Sequence, residues 1–315
     1  MTIRHRDLAT LRARATLEPY AAAWAKVASA PAGSPAVPAP IESQAILEGL
    51  VFQALRWLYC PQEDSRFDSA DPGDDSHWGL PGVMETVRIR PEADLLTVEI
   101  DPRARQSAVT LGMYLLPEID EYGEWGEVGI PALRVRDIGD QLEFYRIGHR
   151  GAVRFRGVSA ADFWDAHHWA LDHSRGCIAA NHPQAPSAVE CERPEIFSPG
   201  QLRTTSSIMR HLGLLMDLGA TGIDTWTNPR DRVIIEVELR TLTEARCARL
   251  IEDLCSPNLY LGLTAVKRPI PHLDGLLPCL VQLFDGSSRI DLRLTLSRPE
   301  EAPFEDWWRR PSRVP

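Results

Sequence analysis

The densest group of potentially reactive side chains lies in residues 165–177, with the sequence DAHHWALDHSRGC. Three histidines, two aspartates and one cysteine fall within these thirteen positions. Side chains of these types can ligate a metal ion, or can form a cysteine nucleophile with a neighbouring base. Both kinds of chemistry depend on which of these side chains share one face of the helix that is expected to carry them.

The histidine spacing does not favour a metal site on one helix. Such a site places two histidines four residues apart, whereas His173 follows His167 by six positions and His168 by five. A composite site remains an alternative if a loop brings ligands together, although the spacing matches no common zinc pattern. We therefore expect no metal and no cofactor, and the alternative, a metal-dependent hydrolase, would use His173, Cys177, His182 and Cys191.

A cysteine enzyme is the other catalytic alternative, with Cys177 as nucleophile and His173 or His182 as base. Cys177 would follow the carboxyl end of a helix, where the helix dipole disfavours a thiolate. The sequence also contains no nucleophile elbow, phosphate-binding loop or dinucleotide-binding glycine pattern. We therefore expect no catalytic residue, and predict that the histidines cap the helix or pair with Asp165 and Asp172.

The charge of the chain limits its partners. The formal net charge is -10, and lysine occurs only at Lys26 and Lys267, so arginine supplies nearly all of the positive charge. This charge repels a phosphate backbone, and no basic patch is prominent in the sequence, so we expect no nucleic-acid partner. No segment has the apolar length of a membrane span, and the first residues do not form a signal peptide. These features predict a cytoplasmic protein without a membrane partner.

The elements that would position these side chains follow a pattern that occurs twice. Apolar residues at helical spacing predict helices over 43–58 and 203–218, and each helix precedes a strand hairpin, at 84–101 and 223–240. A further helix is predicted after each hairpin, over 103–116 and 243–254. The sequence therefore predicts an α+β fold of two tandem pseudo-symmetric modules, each a four-stranded antiparallel sheet with helices on one face.

A second hairpin is predicted at the end of each module, over 129–148 and 276–295. Pro131 and Pro278 each stand eight residues before a turn glycine, Gly139 or Gly286. We therefore predict that these two hairpins are equivalent. The corresponding domain boundaries are an amphipathic arm (1–28), a linker rich in proline and alanine (29–40), a first module (41–148), a helical and proline-rich connector (149–200), a second module (201–298) and a tail (299–315).

The linker SAPAGSPAVPAP, 29–40, has four prolines and few large apolar side chains. Such a composition is typical of an extended segment with few contacts to a core. The arm before it has a helical pattern that Pro19 interrupts. We therefore expect that residues 1–40 can be removed without loss of the fold.

Two acidic loops in the first module combine charge with aromatic side chains. One loop, 60–82, carries six carboxylates and Trp78; the other, 120–127, carries Tyr122 and Trp125. Tryptophan and tyrosine are enriched at binding hot spots, and acidic groups steer a basic partner. We therefore predict a non-catalytic protein-binding module, an adaptor, chaperone or inhibitor-like protein, whose partner is another protein with a basic surface. The predicted contact residues are Asp71, Asp74, Asp75, Trp78, Tyr122 and Trp125.

Overall fold

A computed structural model shows a mixed helix-and-sheet protein, which confirms the α+β class. It describes residues 5–56, 86–102, 111–112, 115–119, 129–173, 178–179, 185–186, 188–192, 197–228, 232–239, 241, 243–259, 261, 264–268, 279–285 and 288–296. The helices in this part of the chain are α1 (His5–Thr16), α2 (Tyr20–Ser29), α3 (Glu42–Arg56), α4 (Ala160–His173), α5 (Ala188–Glu192), α6 (Pro199–Arg210), α7 (Leu212–Asp217) and α8 (Glu244–Leu254).

The described strands form two five-stranded sheets and one two-stranded ribbon. The first sheet contains β1 (Thr86–Pro91), β2 (Leu95–Ile100), β4 (Leu133–Asp137), β5 (Gln141–Arg146) and β6 (Ala152–Arg156). The second contains β8 (Ala220–Asn228), β9 (Arg232–Leu239), β10 (Thr264–Arg268), β11 (Cys279–Asp285) and β12 (Ser288–Leu296). The ribbon pairs β3 (Glu118–Ile119) with β7 (Ile178–Ala179).

Helix boundaries follow local sequence signals. Ser198 accepts a hydrogen bond from the Gln201 amide while the Gln201 side chain accepts one from the Ser198 amide, so a capping box begins α6. Thr243 caps α8 through the amide of Arg246, as expected for a helix over 243–254. The helix predicted over 203–218 is divided at His211 into α6 and α7. The helix predicted over 103–116 lies largely outside the described residues.

The strand order is β1-β2-β6-β5-β4 in the first sheet and β8-β9-β12-β11-β10 in the second. Neither sheet is purely antiparallel, because β2 pairs in parallel with β6 and β9 pairs in parallel with β12. The prediction of four-stranded antiparallel sheets was therefore wrong. Two parallel strands cannot be joined by a hairpin turn, and here the chain forms two further strands before it returns beside the first hairpin.

The two predicted hairpin matches have different outcomes. Segments 84–101 and 223–240 contain β1-β2 and β8-β9, which hold the same places in the two strand orders. Segments 129–148 and 276–295 contain β4-β5 and β11-β12, which do not. The second match was wrong by one strand, because the shared proline-to-glycine spacing reports the shape of a turn and not the position of the hairpin in its sheet. Strand β6 also extends the first sheet beyond residue 148.

The two sheets enclose a central pair of helices. Helix α3 contacts β6 and β8, and α6 packs along α3 and contacts β1, β9 and β12. Gly49 lies against the backbone of Leu202 at a distance that leaves no room for a side chain, so the two helices approach closely. The inner faces of the sheets therefore face these helices.

A buried ion pair joins the central helices. The Arg210 guanidinium donates to both carboxylate oxygens of Glu48, at 2.8 and 2.6 Å, and to the backbone carbonyls of Pro38 and Glu92. Ser206 donates a further hydrogen bond to Glu48. Both charged side chains are almost completely buried. This network gives hydrogen-bond partners to the charged groups of Arg210 and Glu48, which are buried between the helices. It also holds the Pro38 carbonyl of the linker against the core.

The arm and linker are part of the core, contrary to the expectation from their composition. Ala36 and Val37 of the linker are buried. Arg12 donates to Glu18 and to the carbonyl of Ala36, and Arg14 donates to the carboxylates of Asp217 and Asp253. The small side chains of the arm and linker fit closely against the core. In the sequence, the same small side chains suggested a segment with few core contacts. These contacts argue against the expectation that residues 1–40 are dispensable. Within the described residues, no helix combines the length and the apolar character that crossing a bilayer needs.

Candidate interaction surface

The outer face of the first sheet carries arginines at alternate positions of three strands. The segments VRIR (87–90), RVRD (134–137) and VRFR (153–156) each place two arginines two residues apart. Side chains two apart along a strand point to the same face, and the intervening Ile89, Val135 and Phe155 are buried on the inner face. The strand geometry therefore collects the arginines on the outer face.

Cross-strand pairing arranges these side chains in two rows. One row runs from Arg88 through Glu99 to Arg156. The other runs through Arg90, Thr97, Arg154, Glu143 and Arg136. Each row crosses the strands, so that arginines from three different strands surround two glutamates. The face thus carries five arginines around two carboxylates.

The glutamates lie beneath the guanidinium groups. Glu143 accepts hydrogen bonds from Arg136 at 2.6 Å and from Arg154 at 2.5 Å, and its side chain is 1% exposed. Glu99 lies within 3.2 Å of Arg88 and 2.5 Å of Arg90, and its side chain is 12% exposed. In contrast, the side chain of Arg136 is 61% exposed. Solvent therefore meets the positive groups, while the negative groups are covered.

The exposed arginines contribute little to stability. The side chains of Arg90 and Arg156 are 40% and 44% exposed, and ion pairs at such positions stabilise a fold by only about 0–1 kcal/mol each. A guanidinium carries five N–H donors, and Arg90 and Arg154 each direct one of them to a glutamate. The outer face therefore presents further donors to solvent. Arg136 also stacks on the ring of Tyr145, which fixes its side chain over the sheet.

A sixth arginine of this face, Arg134, is buried. Arg134 donates to both carboxylate oxygens of Glu190 on α5, at 3.0 and 3.2 Å, and both side chains are almost fully buried. Glu190 also accepts a hydrogen bond from the amide of Ala132. Helix α5 thus covers the face only at its β4 edge. It does not cover the two rows of arginines.

The structure places some residues of the histidine and cysteine cluster. His167 on α4 is buried, its Nδ1 lies 2.9 Å from the carbonyl oxygen of Gly112, and its ring stacks on Phe163. Burial lowers the pKa of His167, and its Nε2 has no hydrogen-bond partner. His168 is exposed. These contacts give His167 a packing role, and the predicted helix capping or pairing of the histidines with Asp165 and Asp172 stays a prediction.

The alternative catalytic residues are only partly described. His173 is the last residue of α4, and Cys191 is an exposed free thiol on α5. Cys177 and His182 lie outside the described residues. Among the residues that the structure describes, no three histidine, cysteine, aspartate or glutamate side chains form a group able to hold a metal ion.

The predicted contact residues of the acidic loops, Asp71, Asp74, Asp75, Trp78, Tyr122 and Trp125, also lie outside the described residues. The arginine face, by contrast, was missed at the sequence level. Its signal in the sequence consists of three R-x-R segments, each with too few adjacent charges to form a basic patch by itself. Only strand pairing brings these separate arginines together.

Comparison of the chain with models of protein families, with curated proteins and with solved structures found no match. The functional interpretation therefore depends on the geometry of the chain itself.

Proposed function

We propose that the protein is a non-catalytic protein-binding module, an adaptor, chaperone or inhibitor-like protein, that holds an acidic segment of a partner protein on the outer face of its first sheet. The observation that carries this proposal is the exposure of guanidinium groups above buried carboxylates. Guanidinium groups bind carboxylates in a bidentate, directional manner. An acidic peptide is the protein ligand whose charge complements this face.

The size and surroundings of the face favour a peptide over a nucleic acid. Two rows on five strands span about 19 Å across the strands and about 7 Å along them. A duplex, about 20 Å wide, would extend beyond this area onto a molecule whose net charge is -10. A short acidic segment contacts the arginines without that repulsion.

Two further interpretations belong to this proposal. The acidic loops 60–82 and 120–127 remain predicted contacts for a basic region of a partner, and the enzyme alternatives remain hypotheses.

The shared strand order also supports our inference that the two halves descend from one duplicated module. The duplication would explain why each half contributes one helix to the central pair and five strands in the same order.

Fluorescence anisotropy with a labelled octaglutamate peptide tests the proposal. We expect binding that weakens with added salt, and a loss of affinity of about tenfold in the Arg90→Gln/Arg156→Gln variant. The matched control is Arg246→Gln/Arg249→Gln, which removes the same charge from exposed positions of α8. Equal affinity in the two variants would contradict the proposal. Tighter binding of an eight-nucleotide oligothymidylate would favour a nucleic-acid ligand instead, and binding of octalysine would support the acidic-loop prediction.

A further inference from the structure

One outer row of the second sheet is largely apolar. Paired positions on the five strands place it through Val266, Gln282, Asp291, Ile234 and Trp226. Val266 and Trp226 stand on the edge strands β10 and β8, and Ile234 stands on β9. In the first sheet, both outer rows described above are composed mainly of arginines and glutamates. The row through Ile234 therefore differs in chemistry from either row of the first face.

This row is buried on the side of the sheet that points away from the core. Val233 and Ile235 belong to the main hydrophobic cluster, whereas Ile234 between them points to the opposite side of the sheet. Even so, Ile234 is only 3% exposed. Thr97, which faces outward on the corresponding strand β2 of the first sheet, is half-buried. A segment that covers the outer face of the second sheet would account for the burial of Ile234.

Gln282 adds a polar requirement for such a segment. Its Nε2 donates to Asp291 Oδ1 at 3.3 Å, while its Oε1 is buried and meets no donor among the described residues. Buried acceptors of this kind normally have a donor. The covering segment should therefore combine large apolar side chains with an N–H or O–H donor. Tryptophan supplies both, because its indole ring is apolar and its Nε1–H group only donates.

The tail (299–315) has the composition and the reach for this role. It contains the sequence FEDWW, with three large aromatic residues in five positions. It follows β12, the central strand of the sheet, which ends at Leu296, about 17 Å beyond Asp291. Phe304 and Trp307 follow Leu296 by about 26 and 36 Å of extended chain, so both can return above the row after a turn.

The charges beside the row also complement the tail. Arg232 and Arg289 stand opposite each other in the row next to Ile234. Like charges at directly opposed positions destabilise a sheet, and a nearby negative charge offsets this cost. Glu305 and Asp306 lie between the aromatic residues of the tail. They can therefore approach this arginine pair when the aromatic side chains cover the apolar row.

We infer that the tail folds back over the outer face of the second sheet and packs Phe304, Trp307 and Trp308 on the row through Ile234. One indole N–H donates to Oε1 of Gln282. The second face is thus a docking site for an aromatic segment of the same chain. This inference concerns the second sheet and does not depend on the proposed function of the first.

Competition between the tethered tail and a free copy tests this inference. A fluorescein-labelled peptide with the sequence of residues 299–315 is titrated with the full chain in anisotropy measurements. A tethered segment acts at a high effective concentration, so the wild-type tail should exclude the peptide. We expect Trp307→Ala/Trp308→Ala to raise the affinity for the peptide by about tenfold, because the weakened tail no longer competes. The matched control, Trp24→Ala, removes an exposed tryptophan from α2 and should bind the peptide as weakly as wild type.

Two further measurements locate the contact. Addition of Ile234→Thr to the tail variant should remove most of the gain in affinity, because it reduces the apolar area of the row; circular dichroism verifies that this protein is folded. Independently of any change in the sheet, the tail variant should bind the apolar dye anilinonaphthalene sulfonate more strongly than wild type or Trp24→Ala, because the row is uncovered.

Three outcomes would overturn the inference. If the peptide binds wild type and the tail variant with equal affinity, the tail does not occupy the face in the same chain, and sedimentation of wild type would show whether a second copy does. If the peptide binds neither protein, the tail does not dock on this sheet. If a folded protein with Ile234→Thr keeps the full gain in affinity, the contact lies on another surface.

Discussion

The outer faces of the two sheets differ although their strand orders agree. On the first sheet, exposed guanidinium groups cover Glu99 and Glu143. On the second sheet, Ile234 and Gln282 are buried, and Arg289 pairs with the buried Asp291 at 2.7 Å. The second face also carries arginines, with Arg289 opposite Arg232 and Arg293 opposite Glu236, but Ile234, Gln282 and Asp291 between them are buried.

This difference shows which part of a strand pattern determines the fold. The inner rows are apolar in both sheets, with Leu96, Val98 and Ile100 on β2 and Val233, Ile235 and Val237 on β9. Alternate residues face outward and can change without disturbing this packing. Strand order therefore does not determine the chemistry of the outer face, which depends on its own side chains.

The largest expected difference between the faces concerns their buried ion pairs. Arg134→Met leaves the Glu190 carboxylate buried without its cation and should lower the free energy of unfolding by about 3–5 kcal/mol. Arg289→Met should cost less, about 1–3 kcal/mol, because water reaches the partly exposed position of Arg289 and Gln282 still contacts Asp291. Urea unfolding of both variants measures these losses.

A double variant provides the control for the first sheet. Arg134→Met/Glu190→Leu removes both charges, so it should recover much of the stability that Arg134→Met loses. Equal losses in Arg134→Met and Arg289→Met would show that the two faces exclude water to the same degree.

The next largest expected difference is the pH dependence of stability, which comes from His211 in the helices beneath the second sheet. His211 divides α6 from α7, whereas α3 in the first half is continuous. Burial lowers the pKa of His211 to about 4 from 6.5, despite contacts with the carbonyls of Ser207 and Leu259. The unfolded chain therefore binds a proton first as the pH falls. This group contributes stability above pH 6.5 that is lost between pH 6.5 and 4, by about 3 kcal/mol.

The His211→Gln variant isolates this effect, because glutamine keeps a donor and an acceptor but does not titrate in this range. We expect the stability difference between wild type and variant to shrink as the pH is lowered from 7 to 4.5. Urea unfolding across this range measures the difference, and carboxylate titration common to both proteins cancels. A difference independent of pH would mean that His211 is not buried as a neutral side chain.

The sequence predicted local elements better than their assembly. Helical periodicity located α3, and Thr243 located the start of α8, because caps and apolar spacing are local signals. The parallel pairing of β2 with β6 was not predicted, because it joins segments about fifty residues apart and leaves no turn motif between them.

The arm and the arginine face illustrate two further limits of the sequence. Ala36 and Ala15 are completely or almost completely buried, but small side chains give little amphipathic signal. The arginines of VRIR and VRFR are 66 positions apart between Arg88 and Arg154, and only the register across β2 shows that they share one surface. The acidic loops, in contrast, were evident in the sequence because their charges are adjacent in the chain.

The smallest expected effect is a change in peptide affinity on removal of one exposed acid, Asp140, beside the first face. Asp140, in the β4-β5 turn, is exposed and accepts a hydrogen bond from Nε of Arg156 at 3.0 Å. Asp140→Asn removes a competing carboxylate and leaves more of the Arg156 guanidinium for a ligand. We expect octaglutamate to bind about twofold more tightly, because an exposed ion pair contributes only about 0.2–1 kcal/mol. The matched control, Glu252→Gln, removes the same charge from an exposed position on α8 of the second half. Anisotropy titrations of the two variants distinguish a local release of Arg156 from a change in net charge. If Glu252→Gln raises the affinity as much as Asp140→Asn, the long-range field of the molecule, and not the arginine face, would account for the gain.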